Sequence, residues 1–178
     1  MTRRGNLVVL EAFKNPAYSL QVVGLFLVIL GFWTPYFYLA AYGQAHGMSA
    51  NLAAYLFAII NAGPFVGRIL GDTFAQHAGQ FNVVAFSCYS SGLLLFCWLV
   101  ITSSAGLIVL SVFFGATSGI IALMMSTVAH CAPHPSKWNF SNLSKIGAYV
   151  GQSTFIIGFA GLAGTPITGA LINNYDTQ

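Results

Sequence analysis

The sequence predicts an all-α, polytopic membrane protein, a helical bundle with five transmembrane helices. Hydrophobic residues make up 57% of the 178 residues and charged residues only 5%, whereas a soluble domain carries roughly 25% charged residues. The apolar residues form five runs of about 20 residues or more, the length that crosses the hydrocarbon core as a helix. All six basic residues fall on one side of this pattern, as expected of a membrane orientation signal.

The five runs define the predicted spans. Because backbone groups in lipid must be hydrogen-bonded internally, uniformly apolar runs of this length are helices, whereas barrel strands would alternate over about ten residues. Residues 1–17 are predicted to form an amphipathic segment at the cytosolic interface, with a disordered lead-in as the alternative. The transmembrane bundle covers 18–172, and a tail of 173–178 follows it. The predicted spans are 18–42, 52–75, 83–101, 106–130 and 146–172.

Lysine and arginine orient this bundle, because both are retained on the cytosolic side. The N-terminus and the connections 76–82 and 131–145 are therefore expected in the cytosol, and the C-terminus outside. Sequons begin at Asn139 and Asn142, and both are predicted to stay unglycosylated in the cytosol. The charge of +3 is spread over three regions, so no nucleic-acid partner is expected. The basic residues are Arg3, Arg4, Lys14, Arg68, Lys137 and Lys145.

Motifs of intramembrane enzymes and nucleotide-driven pumps are missing from the sequence. It contains no His-Glu-x-x-His, no Gly-x-Ser-x-Gly and no Walker-type loop, each of which supplies catalytic or phosphate-binding groups. Asp72 is the only carboxylate within a predicted span, and the three cysteines lack metal or redox spacing. The chain is therefore predicted not to be an enzyme and to hold no metal or cofactor.

A polar stripe in the second span is the candidate binding site. Arg68 follows Asn61 by seven positions and precedes Asp72 by four, which places all three on one helical face. An arginine in hydrocarbon costs several kcal/mol unless it faces protein or water, so such residues commonly line a pathway. The alternative is that Arg68 snorkels to the cytosolic boundary and forms a structural pair with Asp72.

Small residues accompany this stripe. Gly63, Gly67 and Gly71 form a doubled small-xxx-small pattern that lets a neighbouring helix approach closely. The pattern recurs at Gly115 and Gly119 in the fourth span and at Gly147 and Gly151 in the fifth. Ordinary tight packing and sliding contacts between moving helices both explain it. Near the end of the fifth span, Pro166 predicts a kink, with gating as one further interpretation.

Aromatic residues cluster in the outer part of the first span. Tyr36 and Tyr38 follow Pro35, and both hydroxyl groups are candidates for lining a cavity. Trp33, Tyr42 and Tyr55 fit the alternative, an interfacial aromatic belt.

These segments resemble the fungal branch of the monocarboxylate transporter family, within the major facilitator superfamily. The resemblance extends over 12–172 and depends on several segments as a set. They are Ala-Phe-Lys-Asn-Pro at 12–16, the Pro-Tyr-Phe-Tyr-Leu of 32–42, Ile-Ile-Asn-Ala-Gly at 59–63, Gly67 with Arg68, 79–82, and Gly-Thr-Pro-Ile-Thr-Gly-Ala-Leu-Ile at 164–172.

The resemblance implies that the five spans correspond to helices seven to eleven of a twelve-helix transporter. The first half and the twelfth helix would then be missing partners. Arg68 would occupy the position of the arginine that engages the substrate carboxylate, which suits the bidentate geometry of a guanidinium group. The family's charged cytosolic gating motif is poorly kept, because Asp72, Gln76, His77 and Gln80 replace its residues and only Gly79 matches.

The expected function is secondary active or facilitative transport of a small organic anion, a monocarboxylate or a related metabolite by alternating access. The partners are the small-molecule substrate, a co-transported proton in the symport version, and the lipid bilayer, with the plasma membrane expected. Substrate binding is assigned to Arg68, Asp72, Asn61, Tyr36 and Tyr38, and gating or packing to Gly63, Gly67, Gly71, Gly79 and Pro166. The alternative is a truncated membrane fragment that transports nothing. Self-association to rebuild a pore conflicts with the different roles of the two transporter halves.

Overall fold

The computed structural model describes residues 10–131 and 140–176, with side chains for 12–131 and 146–171. A short 3-10 helix at Leu10–Lys14 precedes seven α-helices, and no strand occurs in this described part. The helices are α1 (Pro16–Phe32), α2 (Thr34–Ala45), α3 (Ala50–Ala78), α4 (Gln80–Trp98), α5 (Ser104–Ile121), α6 (Met124–His130) and α7 (Phe140–Asp176).

Five helical segments of the described residues are long and apolar enough to cross a membrane, which confirms the predicted fold class. The first consists of α1 and α2, and the fourth of α5 and α6. The second and third coincide with α3 and α4, and the fifth lies within α7. The segments are Pro16–Ala45, Ala50–Ala78, Gln80–Trp98, Ser104–His130 and Ile146–Leu171.

Two of these segments are interrupted near their middles. Pro35 is the second residue of α2, and its ring leaves no N–H to continue the hydrogen bonding of α1. The second break follows Ile121, where the N–H groups of Ala122 and Leu123 bond three residues back instead of four. The continuous hydropathy of both runs concealed these breaks from the sequence prediction.

The chain forms two compact units, and it passes between them close to these two breaks. One unit, the terminal unit, comprises the described residues within 1–31 and 124–178, and the other, the helical core unit, comprises 32–123. The helical core unit contains α2, α3, α4 and α5, with a buried cluster formed by Leu39, Met48, Ala53, Leu56, Ile60, Leu107, Leu110 and Phe114.

Within the helical core unit, α3 and α5 pack backbone against backbone. A methyl group built on Gly63 would lie 2.6 Å from the Cα of Gly115. One built on Gly67 would collide with the carbonyl oxygen of Ala116 and lie 3.1 Å from the Cα of Gly119. Side chains larger than hydrogen at these positions would therefore force the helices apart.

Proline contributes to the same contact. Pro64 lies inside α3 and has no N–H, so the carbonyl of Ile60 loses its usual helical donor. That carbonyl lies against Gly115, where a methyl group built on the glycine would be 3.0 Å from the oxygen. A Cα–H of glycine is the weak donor that suits such a carbonyl at close range.

The terminal unit is held together by polar and aromatic contacts. The buried hydroxyl of Tyr18 donates to the carbonyl of Tyr149 at 3.0 Å, and the two rings meet edge to face. The amide of Gln21 donates to the hydroxyl of Thr127 at 3.0 Å. Gly164 of α7 lies directly against the backbone of Leu30. These contacts connect α1 to α6 through Gln21 and α1 to α7 through Tyr18 and Gly164.

Candidate functional site

Arg68 lies deep within α3. This helix has 29 residues, which makes it about 44 Å long at 1.5 Å per residue. Arg68 precedes the last residue, Ala78, by ten positions, or about 15 Å, and lies about 6 Å from the helix midpoint. The pathway and the snorkelling interpretations of Arg68 both stay predictions.

The backbone of Arg68 lies at the level where three helices converge. A methyl group built on Gly119 of α5 would lie 2.9 Å from the Arg68 backbone nitrogen. One residue earlier on α5, the Ser118 hydroxyl lies 2.7 Å from the Tyr36 hydroxyl of α2. The Arg68 side chain is exposed within the unit. Tyr36 and Ser118 therefore form a polar pair at the level of the Arg68 backbone.

Aromatic rings hold Tyr36 in place. Its ring centroid lies 5.7 Å from Phe32, 5.7 Å from Trp33 and 6.0 Å from Phe114. Phe32 and Phe114 also contact each other, with centroids 5.9 Å apart. Such contacts restrict the ring and so fix the position of the hydroxyl group that it carries.

The other predicted site residues are arranged differently. Asn61 is exposed and donates its amide to the carbonyl of Phe57 on its own helix, at 2.7 Å. Asp72 is exposed, and no ion pair within 4.0 Å joins these described neighbours, Asp72 and Arg68. Arg68 precedes Asp72 along the helix, the less favourable order for an i,i+4 pair. Tyr38 is half-buried. The structure thus places Tyr36 at the level of the Arg68 backbone and shows no ion pair between the described side chains of Arg68 and Asp72.

The predicted gating and packing residues have distinct settings. Gly63, Gly67 and Gly71 all face α5. Gly79 separates α3 from α4 with φ +85°, a backbone conformation that favours glycine and allows the chain to reverse. Pro166 lies inside α7, which continues as helix from Phe140 to Asp176. The sequons at Asn139 and Asn142 and the basic residues Arg3, Arg4 and Lys137 lie outside the residues with described side chains.

Ser118 was not predicted from the sequence. It lies in an apolar stretch of α5 in which serine commonly bonds back to its own helix, so its residue type alone does not distinguish it. It is 6% exposed and donates to the Gly115 carbonyl at 2.6 Å while also meeting Tyr36. The one available signal was the packing pattern, since Gly115 and Gly119 flank Ser118 on the contact with α3.

Fold and composition define the class: the chain is a multi-pass α-helical membrane protein. No family model matches it. Over nearly its whole length, however, it is similar in sequence to fungal MFS-type transporters. It is 39% identical over 174 residues to the aspyridones efflux protein apdF of Emericella nidulans, covering 97% of this chain and 34% of that protein.

Two further relatives give the same result. The MFS-type transporter pynF of Aspergillus niger is 38% identical, with 90% of this chain and 36% of that protein covered. The agnestins efflux protein of Paecilomyces divaricatus is 34% identical, with 91% and 36% covered. The chain thus spans about a third of the length of these relatives. They support the major facilitator superfamily, and the monocarboxylate transporter-like branch stays a prediction.

Proposed function

We propose that the chain is part of a major facilitator superfamily transporter that moves a small organic anion, a monocarboxylate or a related metabolite by alternating access. The similarity to transporters named for efflux of fungal metabolites supports this function. Transport across a bilayer would account both for the five predicted membrane spans and for the similarity to proteins named as transporters. The missing first half and last helix would complete the protein, since two halves enclose a site near the midplane.

The observation that carries the proposal is an exposed arginine near the middle of a 29-residue apolar helix. A guanidinium group at that depth needs water or a polar partner. Cargo with a carboxylate would satisfy it through two parallel N–H···O bonds. Tyr36 and, at half-burial, Tyr38 would contribute polar surface beside it.

Asp72 and Asn61 have supporting roles in this proposal. Asp72 lies one helical turn from Arg68 and would balance its charge when no cargo is bound, and it is a candidate carrier for a co-transported proton. Asn61 would extend the polar stripe outward, by releasing its bond to Phe57. The plasma membrane and a cytosolic N-terminus complete the proposal, consistent with the distribution of lysine and arginine.

The test is transport of radiolabelled organic acids by the complete transporter with Arg68→Ala. Loss of a charge-assisted hydrogen bond predicts about a ten- to hundredfold lower rate at subsaturating substrate. Arg68→Lys should recover only part of it, because an ammonium group cannot bind in a bidentate manner. Thr73→Ala is the matched control on the same helix, since the exposed Thr73 bonds only to the Ile69 carbonyl. Normal transport by Arg68→Ala at normal surface abundance would remove Arg68 from the site.

The second candidate function is a truncated membrane protein that transports nothing by itself. The chain spans 34–36% of the length of the named relatives, which is compatible with both proposals. Sequencing the full transcript separates the two proposals. An upstream six-span half and a downstream helix in the same reading frame support the transporter. Their absence from every transcript supports the fragment.

A further inference from the structure

The hydrogen bonds around Tyr36 have a fixed direction. The Ser118 hydroxyl donates its single proton to the Gly115 carbonyl at 2.6 Å. The oxygen of Ser118 also lies 2.7 Å from the Tyr36 oxygen. Because a carbonyl can only accept, Ser118 has no proton left for Tyr36, and Tyr36 must donate to Ser118. The lone pairs of the Tyr36 oxygen are then the only hydrogen-bonding capacity that it can offer to another molecule.

This acceptor lies at the level of a cation without being bonded to it. No hydrogen bond within 3.5 Å joins the described side chains of Arg68 and Tyr36. The two residues share a level along α5, since the Arg68 backbone lies against Gly119 and the Tyr36 hydroxyl contacts the adjacent Ser118. A fixed acceptor and a nearby guanidinium group together match a ligand that carries an anionic group and a hydrogen-bond donor.

The surroundings of the pair are aromatic. Trp33 and Phe37 contact each other with centroids 6.3 Å apart and remain 40% and 60% exposed within the helical core unit. They extend the ring cluster that begins at Phe32, Tyr36 and Phe114. An apolar or aromatic ligand body would gain buried area against such rings, and aromatic rings also contribute favourable edge-to-face or offset contacts.

We propose that the Tyr36 oxygen is an acceptor subsite for an O–H or N–H group of an organic anion whose charged group binds Arg68, and that Ser118 is its positioning residue. This inference rests on the proposed transport function and deepens it. The cargo class becomes a hydroxyl- or N–H-bearing organic acid with an apolar or aromatic body. A plain monocarboxylate would leave the acceptor without a partner once water is displaced.

The experiment compares two acids that differ by one hydroxyl group, mandelate and phenylacetate. The complete transporter should take up mandelate with a kcat/KM about three- to tenfold higher than phenylacetate, the range expected for one neutral hydrogen bond. Tyr36→Phe should bring the ratio to about one, chiefly by raising the KM for mandelate. The ratio of kcat/KM for mandelate to kcat/KM for phenylacetate is measured on one variant at a time, so differences in surface abundance cancel.

Ser118 variants test the positioning role. Ser118→Ala frees the Tyr36 proton and should also collapse the ratio, whereas Ser118→Thr keeps the hydroxyl group and should retain the preference. Because both changes disrupt the same hydrogen bond, the double variant with Tyr36→Phe should be no worse than Tyr36→Phe alone. Ser111→Ala is the matched control, since Ser111 is buried on the same helix and donates to Leu107 at 2.7 Å. It should leave the ratio unchanged.

The outcomes separate this inference from the proposed function. Transport of both acids without a preference, or a preference that survives Tyr36→Phe, overturns the inference and leaves transport through Arg68 standing. An unchanged ratio in Ser118→Ala overturns the positioning role. Failure of the complete protein to move either acid overturns both proposals. A preference lost in Tyr36→Phe and Ser118→Ala but kept in Ser118→Thr and Ser111→Ala supports the inference.

Discussion

The glycine pairs of α3 and α7 share a sequence pattern and differ in the structure. On α3, Gly63 and Gly67 lie against the backbone of α5, where a methyl group would meet Gly115 or Ala116. On α7, Gly147 and Gly151 have nothing within 4 Å of a built methyl group. The spacing of four residues therefore indicates where a helix can approach closely, and not that another helix does so.

The difference lies in the partner. The α3 row meets a second row of small residues on α5, Gly115, Ala116 and Gly119, so two flat surfaces coincide. Close approach also uses the carbonyls that α3 presents, including the one released by Pro64. Gly147 and Gly151 meet no such surface among the described residues of this chain. Complementary rows on two helices are the more informative pattern.

The largest effect is expected when alanine replaces a glycine that contacts another helix, compared with alanine at a glycine that has open space around it. Gly67→Ala should destabilise the protein by about 1–3 kcal/mol, because its methyl group meets backbone that no rotamer change can move. Gly147→Ala should be neutral or stabilising by up to about 1 kcal/mol, because alanine favours the helix where space is open. The melting temperatures of both variants of the complete protein are measured in detergent, with size-exclusion chromatography as the readout of folded protein.

Opposite signs for the two substitutions are the essential result. Equal melting temperatures for Gly67→Ala and the unsubstituted protein would show that α3 and α5 are not in backbone contact. A strongly lowered melting temperature for Gly147→Ala would show that a helix outside this chain covers that glycine.

Composition and the lengths of the apolar runs were enough to predict the fold class. Apolar run lengths determine the five spans, and their agreement with the helices confirms the fold class. The breaks at Trp33 and Ala122 were not predicted, because hydropathy continues across both. Pro35 was visible in the sequence, but its effect on the first span depends on which carbonyl loses a donor.

The candidate site divides in the same way. Arg68 stands out because a charge inside an apolar run is costly. Ser118 does not, because its role depends on α2 and α5 meeting at one level, which local spacing cannot express. The i,i+4 rule placed Asp72 within pairing distance of Arg68, whereas no ion pair within 4.0 Å joins these two described side chains. The assignment of all these residues to cargo stays a prediction.

An intermediate loss of stability is expected from alanine at Gly164, where one glycine alone contacts the backbone of another helix. A methyl group on Gly164 would collide with the carbonyl of Leu30 and lie 2.9 Å from its carbon. Gly164→Ala should cost about 1–2 kcal/mol, less than Gly67→Ala because α7 can shift locally without breaking neighbouring glycine contacts. Gly158→Ala is the control on the same helix, with nothing within 4 Å. A melting temperature no lower for Gly164→Ala than for Gly158→Ala would contradict this contact.

The smallest effect compares a polar contact of the terminal unit with the glycine contacts of the helical core unit. Tyr18→Phe removes the buried donor to the Tyr149 carbonyl but keeps the edge-to-face ring contacts with Phe13 and Tyr149. The expected cost is about 1 kcal/mol, the net value of one hydrogen bond. Tyr89→Phe, at a side chain 77% exposed, is the matched control and should stay within about 0.5 kcal/mol.

The same melting assay measures both tyrosine variants, and limited proteolysis locates the change. Because the Tyr18 bond connects α1 to α7, Tyr18→Phe should increase the rate of cleavage within α7 more than the rate in the turn between α3 and α4. Equal rates at the two places would mean that α1 is held by the Gly164 contact and the aromatic rings alone. The ordering of Gly67, Gly164 and Tyr18 would then measure how far backbone approach outweighs single hydrogen bonds in this chain.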